Sequence, residues 1–248
     1  MNKLLKLVDV SLTYQTKYDE VQALKNLSFE IEEGDFVSLI GPSGCGKTTV
    51  LSIIAGFIKP TSGNIIFGDK LKGDKLGYML QKDHLFPWRT IEKNIFLPLE
   101  VKGLLDKEHK DYAESLLLKY GLYDFRKNYP NELSGGMRQR VALIRTLVTN
   151  PTILLLDEPF SALDYQTRLK VCDDVSDIIK KEKKTAILVT HDVSEAISMS
   201  NKIFVLTKRP ARLKSTFLIS LDAPSPLKKR ELPAFSTWFE KIYKELNE

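Results

Sequence analysis

The segment Gly41-Pro42-Ser43-Gly44-Cys45-Gly46-Lys47-Thr48 constrains this chain more than any other. It matches the pattern G-x-x-x-x-G-K-[ST], followed by Thr49. Glycines let successive backbone N–H groups turn inward around phosphate oxygens, where a Cβ would obstruct them. The short apolar run Phe36 to Ile40 leads into the loop, and Lys47 to Phe57 has the length and composition of a helix, closed by Lys59-Pro60. Strand, glycine turn and helix together predict a phosphate cradle whose helix adds a positive N-terminal end. Lys47 is then placed to reach the β- and γ-phosphates of a nucleotide, and the Thr48 hydroxyl to ligate Mg²⁺. Cys45 lies inside the loop. One reading is a redox-sensitive thiol with a pKa lowered by the helix end; the other, favoured, is a small filler side chain.

The rest of the chain supports an α/β class. Val8 to Tyr14 and Leu27 to Ile31 alternate apolar and polar residues as half-buried strands do. Asn64 to Phe67, Leu76 to Leu80, Ile153 to Leu156 and Thr185 to Thr190 read as further strands, and Ile203 to Leu206 with Phe217 to Leu221 as a strand pair. Helices are predicted over Lys107 to Tyr120, about Met137 to Thr149 and about Gln166 to Lys184. Strands alternating with helices indicate a largely parallel sheet, and the stretch from 83 to about 150 reads as an inserted helical subdomain.

Composition narrows the alternatives. With 43% hydrophobic and 28% charged residues the chain is neither disordered nor fibrous. The net charge of +5 would suit nucleic acid or an anionic membrane, but the lysines are scattered among acids, which describes a solvated surface. Two cysteines, Cys45 and Cys172, make neither a disulfide framework nor a metal site and fit a reducing compartment. The opening Met1 to Lys6 lacks the apolar stretch of a signal peptide, and the longest apolar stretch, Val50 to Ile58, is far short of a membrane span. A membrane role is therefore expected to run through a separate chain.

Two further segments carry chemistry. Ile153 to Leu156 runs into Asp157-Glu158-Pro159, so two carboxylates stand at the end of a buried-type strand. Asp157 is placed to hold Mg²⁺ and Glu158 to activate an attacking water. Leu133-Ser134-Gly135-Gly136-Met137 is a second Ser/Gly turn opening a helix, with the same anion-holding physics as the first loop. One nucleotide does not need two such cradles from one chain, which points to a dimer in which the partner completes each site.

On these residues, from about 4 to 210, the sequence resembles the ATP-binding cassette (ABC) family of transport ATPases. Gly41 to Thr48 resembles that family's Walker A motif, Ile153 to Glu158 its Walker B and Leu133 to Gln139 its signature motif. The resemblance extends in order to Tyr14 as the aromatic stacking on adenine, Gln81 as the Q-loop glutamine contacting Mg²⁺ and water, Ser161 to Asp164 as the D-loop crossing the dimer, and His191 as the switch histidine contacting the γ-phosphate. Met137 departs from the usual signature glutamine, which leaves Ser134 and backbone N–H groups to make the contact there.

The implied fold is a P-loop NTPase core with an antiparallel β subdomain (about 1–82 and 151–222), an inserted α-helical subdomain (about 83–150) and a C-terminal amphipathic segment (about 223–248). The implied cofactors are ATP and Mg²⁺. The implied partners are a second copy of the chain, integral-membrane permease subunits and, indirectly, an extracytoplasmic solute-binding protein, with no nucleic acid. The implied place is the cytoplasmic face of the membrane.

Three segments resemble the nitrate/sulfonate/taurine importer ATPases in particular: His84 to Ile91, Met137 to Arg140 and Lys208-Arg209-Pro210. This implies uptake of a small anionic or sulfonate-like solute. Phe86, Pro87 and Trp88 then fall where such importers form a groove for the permease, although packing within the subdomain is an equal reading. Phe235, Trp238, Phe239, Ile242, Tyr243 and Leu246 recur at helical spacing, for which core packing is the default and a membrane surface the alternative. An exporter ATPase, a soluble ABC ATPase acting on DNA or ribosomes, and a nucleotide sensor without turnover are the rival functions. The joint presence of Glu158, His191 and Gln81 argues against the sensor.

Overall fold

The computed structural model describes residues 3–15, 19–71 and 76–248. Met1 and Asn2, the start of the opening stretch read above, lie outside the described residues. In chain order the elements are β1 (Lys3–Gln15), β2 (Glu20–Glu32), β3 (Phe36–Ile40), α1 (Lys47–Ile54), β4 (Ser62–Phe67), β5 (Leu76–Met79), α2 (Ile91–Lys102), α3 (Lys107–Lys119), α4 (Gly135–Leu147), β6 (Ile153–Asp157), α5 (Tyr165–Lys181), β7 (Thr185–Val189), α6 (Val193–Met199), β8 (Lys202–Leu206), β9 (Leu213–Leu218), α7 (Pro226–Arg230) and α8 (Pro233–Asn247). They fall into two compact units, Met1–Asp74 with Thr185–Glu248, and Lys75–Lys184.

The first unit holds two kinds of strand, and their sequences differ accordingly. β2, β1 and β4 pair antiparallel, with Leu7 opposite Phe29 on one side and Ile65 on the other. One face is covered, so Leu27, Phe29 and Ile31 of β2 are buried at alternate positions between more exposed polar residues. β3 lies between β7 and β8, parallel to both. Every residue of β3 and β7 is buried, which explains their continuous apolar runs.

β9 closes this unit's sheet as an antiparallel edge strand, with Ile203 opposite Phe217. It begins at Leu213 and ends at Leu218, four residues earlier at its start than the apolar run Phe217 to Leu221 suggests. After Leu213, the residues Lys214 to Thr216 are polar because an edge strand leaves alternate side chains in solvent. Helix α8 lays its apolar stripe on the same unit. Ile242 is fully buried, and Phe235, Trp238, Phe239 and Leu246 pack around Ile197, Val205 and Phe217. Core packing is thus what the stripe does, with Trp238 edge-on to Phe217, except at Tyr243, which stays exposed and stacks on Phe239.

The second unit carries the parallel pair β5 and β6, with Gly77 opposite Leu154, and helices α2 to α5. Helix α4 packs against α2 and α5. Gly136 permits the approach to α5, since a Cβ there would stand 2.9 Å from Val171 Cγ2. Helix α2 escapes simple pattern reading because Asn94 interrupts its buried face and Pro98 sits inside it. Asn94 is fully buried, and its amide donates to the carbonyls of Phe86, Arg89 and Thr90 while its oxygen accepts from the Phe86 N–H at 2.7 Å. A buried amide satisfied in this way holds the Phe86–Thr90 segment against the helix. Phe86 and Trp88 stack at 5.0 Å between ring centroids, and Trp88 remains 71% exposed.

Candidate functional site

The loop after β3 turns on its glycines. Gly44 and Gly46 take φ values of +71° and +120°, a backbone region that side-chain-bearing residues rarely enter. Among the described residues, Thr90, Asp106, Ser134, Asp164, Asp192 and Ser225 each cap a helix by accepting from its first-turn N–H groups. Helix α1 instead has Gly46 at its N-cap and no side-chain cap, as α8 has none at Leu232. A glycine N-cap leaves room for an anion at the start of this helix. The helix ends at Ile54 rather than running to Phe57, because Phe57 N–H turns back to the Ser52 carbonyl and Gly56 N–H to that of Ile53.

Lys47 is only 5% exposed, and its ammonium donates to the carbonyls of Gly41 at 2.8 Å and Pro42 at 3.0 Å. Thr48 is exposed and Thr49 half-buried on the first turn. Ser43 is exposed, whereas Cys45 is buried and donates its N–H to the Pro42 carbonyl at 3.2 Å. Burial pushes the Cys45 thiol up from its ordinary value, against the opposing pull of Lys47. That favours the filler reading over a reactive thiol.

Other predicted residues of this unit take up the following places. The Tyr14 hydroxyl lies 3.4 Å from the Thr49 hydroxyl, with the ring 39% exposed. His191 is exposed in the turn after β7. That turn is pinned on both sides: Asp192 caps α6, and its own N–H donates to Thr190 Oγ1 at 3.0 Å. The sequence singled out Arg209 only within the Lys208-Arg209-Pro210 resemblance and gave it no role at the loop, yet its guanidinium donates to the Gly44 carbonyl at 2.8 Å.

In the second unit the strand β6 delivers its two carboxylates in different settings. Asp157 is buried and accepts from the Tyr78 hydroxyl of β5 at 3.2 Å. Tyr78 carried no sequence signal beyond lying on a predicted strand. Glu158 is half-buried at φ +44°, a strained value for a glutamate, and its carbonyl accepts from the Ser161 N–H and hydroxyl. Gln81, exposed just beyond β5, donates to the Glu158 carboxylate at 3.4 Å.

The predicted partner-site residues lie at exposed or half-exposed helix starts. Ser134 is exposed and caps α4 by accepting from the Met137 N–H at 3.3 Å, with Gly135 half-buried and Gly136 buried behind it. Asp164 is exposed and caps α5 from Thr167 at 3.0 Å. Hydrogen bonds from Thr167 hold its carboxyl below the usual aspartate range. Behind the signature turn, Arg138 donates to Asp83 at 3.0 Å and Arg145 to the Asp83 and His84 carbonyls. The backbone just after Gln81 is thereby tied to α4.

Known proteins resemble this chain in sequence and fold. The ABC transporter family model matches residues 24–161. The chain is 49% identical over 243 residues to an uncharacterized ABC transporter ATP-binding protein, YtlC, of Bacillus subtilis, covering 96% of this chain and 94% of that one. It is 42% identical over 219 residues to the aliphatic sulfonates import ATP-binding protein SsuB of Bacillus cereus, covering 87% and 86%. The post-hydrolysis dimer of the ATP-binding cassette MJ0796, bound to ADP and Pi, superposes with a TM-score of 0.73 at 35% identity, covering 88% of this chain and 99% of that chain. With the P-loop NTPase fold, the uncapped α1 and these relatives in hand, the chain belongs to the ABC transporter family and is an ATP-binding cassette ATPase.

Proposed function

We propose that this chain is the ATP-hydrolysing subunit of an importer that takes up a small anionic, sulfonate-like solute through a separate membrane permease. The observation that carries the import reading is the 42% identity to SsuB across 87% of the chain. Among the described residues no helix is long and apolar enough to cross a membrane, which suits a subunit resting on the cytoplasmic face of permease subunits. An extracytoplasmic binding protein would then deliver the solute to the permease. The 83–150 stretch is the subdomain we assign to permease contact, with Phe86, Pro87 and Trp88 as candidate groove residues.

Catalysis is assigned residue by residue. Gly41 to Thr49 wraps the phosphates, Lys47 exchanging its loop carbonyls for phosphate oxygens, while Tyr14 stacks on the adenine. Mg²⁺ suits the donors present, a Thr48 hydroxyl and the Asp157 carboxylate, because it takes few protein ligands and fills its shell with phosphate and water. When bound it neutralises phosphate charge; Gln81 is assigned beside it. Glu158 accepts a proton from the water attacking the γ-phosphorus, the bond to the β,γ-bridging oxygen breaks, and ADP and phosphate leave. His191 steadies the γ-phosphate.

Two copies close head to tail, with Ser134 to Met137 and Asp164 of one chain completing the other's site; the dimeric state of the MJ0796 cassette supports the pairing itself. Loss of the bridging γ-phosphate then opens the pair.

The test is growth and uptake in a strain lacking this chain, with aliphatic sulfonates as sole sulfur source. Loss of growth restored by the wild-type chain but not by Lys47→Ala supports the reading. Undiminished sulfonate uptake in the deletion strain would remove the proposed solute class.

A further inference from the structure

Arg209 stands on the loop joining β8 and β9, and that loop is fixed from two directions. Thr207 Oγ1 accepts from the Arg212 N–H at 3.0 Å and donates to the Lys208 carbonyl, closing the turn on itself. Ala211 then bridges to β2, donating to the Ala23 carbonyl at 2.9 Å and accepting from the Lys25 N–H at 3.0 Å. From this anchored position the Arg209 guanidinium reaches the Gly44 carbonyl at 2.8 Å. The same peptide unit is held at its other end, where Cys45 N–H donates to the Pro42 carbonyl, which also accepts from Lys47. Arg209, the Gly44–Cys45 peptide, Pro42 and Lys47 thus form one continuous chain of hydrogen bonds across the loop.

We propose that Arg209 is a positioning residue for nucleotide binding: it locks the Gly44–Cys45 peptide so that the Pro42–Cys45 turn is already in its phosphate-receiving form. The physical need is specific to this loop. Glycines at 44 and 46 give the backbone the positive φ values it uses, and the same freedom lets the peptide plane rotate when nothing holds it. A loop ordered beforehand loses less entropy on binding, so affinity rises without any contact between Arg209 and the nucleotide. A charge-assisted bond to a single carbonyl needs a cationic donor, which lysine also supplies in part. The proposal rests on reading Gly41 to Thr48 as the phosphate cradle.

The experiment measures ATP and ADP affinity, steady-state turnover and thermal unfolding for the full chain, with Arg209→Ala, Arg209→Lys and Lys47→Ala beside the wild type. We expect Arg209→Ala to bind both nucleotides about tenfold more weakly, with kcat at saturating ATP unchanged within about twofold. Arg209→Lys should recover most of that loss. The loop holds the α- and β-phosphates common to both nucleotides, so equal weakening of ATP and ADP is the signature of positioning. Weakening of ATP alone would mean a direct γ-phosphate contact and overturn the proposal. So would unchanged affinity in Arg209→Ala, or a fall in melting temperature matching the lost affinity that Arg209→Lys leaves uncorrected. If wild type and Lys47→Ala bind nucleotide equally, the cradle reading itself fails; if only Lys47→Ala loses binding, the role of Arg209 alone fails.

Discussion

The side-chain amide of Gln81 donates to the Glu158 carboxylate at 3.4 Å, joining the second residue after β5 to the residue after β6. Glu158 is held at φ +44°, in a turn whose carbonyl is pinned by Ser161. A glutamate fixed in a strained conformation and oriented by an amide partner suits the general-base role proposed for Glu158. Glu158→Gln keeps the shape and removes the base. Its ATP turnover should fall by about 10²-fold or more while ATP affinity stays within a few fold. Near-normal single-turnover hydrolysis in this variant would remove Glu158 from the mechanism.

Ser134 tests the shared site. Its side chain caps α4 at a long 3.3 Å and is exposed, so a larger residue there fits the isolated chain. Ser134→Arg should leave ATP affinity of the single chain within about threefold. Loss of the cap should cost about 1 kcal/mol of stability. Hydrolysis should disappear, because the arginine projects into the partner's nucleotide. Sedimentation with ATP added should show the wild type pairing and the variant not. Full turnover by Ser134→Arg would mean that each chain hydrolyses alone.

Much of this was legible in the sequence, for reasons that differ by element. β3, β6 and β7 are buried along their whole length, so their apolar runs mark them almost to the residue. The phosphate loop is legible because its chemistry demands glycines at set spacing. β9 is less so, since an edge strand alternates with solvent and Phe217 is its one buried residue. Helix α2 hides behind Asn94 and Pro98; the first is buried because it satisfies three carbonyls, a fact about tertiary structure alone.

The site divides the same way. Residue types at Lys47, Asp157 and Glu158 follow from motif spacing. The bonds from Tyr78 to Asp157 and from Arg209 to Gly44 join residues 79 and 165 positions apart, and no local pattern carries them.

Gly136 tests how tightly α4 must approach α5. A Cβ at this position would meet Val171 Cγ2 at 2.9 Å and Thr167 Cγ2 at 3.5 Å. Val171 is β-branched and buried, so it yields only by moving the helices apart. Gly136→Ala should destabilise the chain by about 1–3 kcal/mol, read as a lower urea midpoint. Combining it with Val171→Ala, which frees the space, should give a loss smaller than the sum of the two single changes. Strict additivity would mean that the two side chains do not meet.

Glu182 ties α5 to α3, and its charge makes the second unit sensitive to acid. The carboxylate accepts from Lys119 Nζ and from the Tyr120 hydroxyl, both at 2.6 Å, and from the Tyr112 hydroxyl at 3.5 Å. Burial alone would raise its pKa, but the bonds from Lys119 and Tyr120 outweigh burial and hold it below the ordinary 4.5. Burial and the facing carboxylate push Tyr112 up to about 12, so its phenol stays a neutral donor at working pH. A folded-state value below the unfolded one means stability that is complete above pH 4.5 and is lost as pH falls through the lower folded value. Unfolding by urea at about pH 7 and about pH 3.5 should therefore show a larger acid loss in the wild type than in Glu182→Gln, which is less stable at neutral pH but has no carboxylate to protonate. Equal acid loss in the two proteins would place the acid-sensitive group elsewhere.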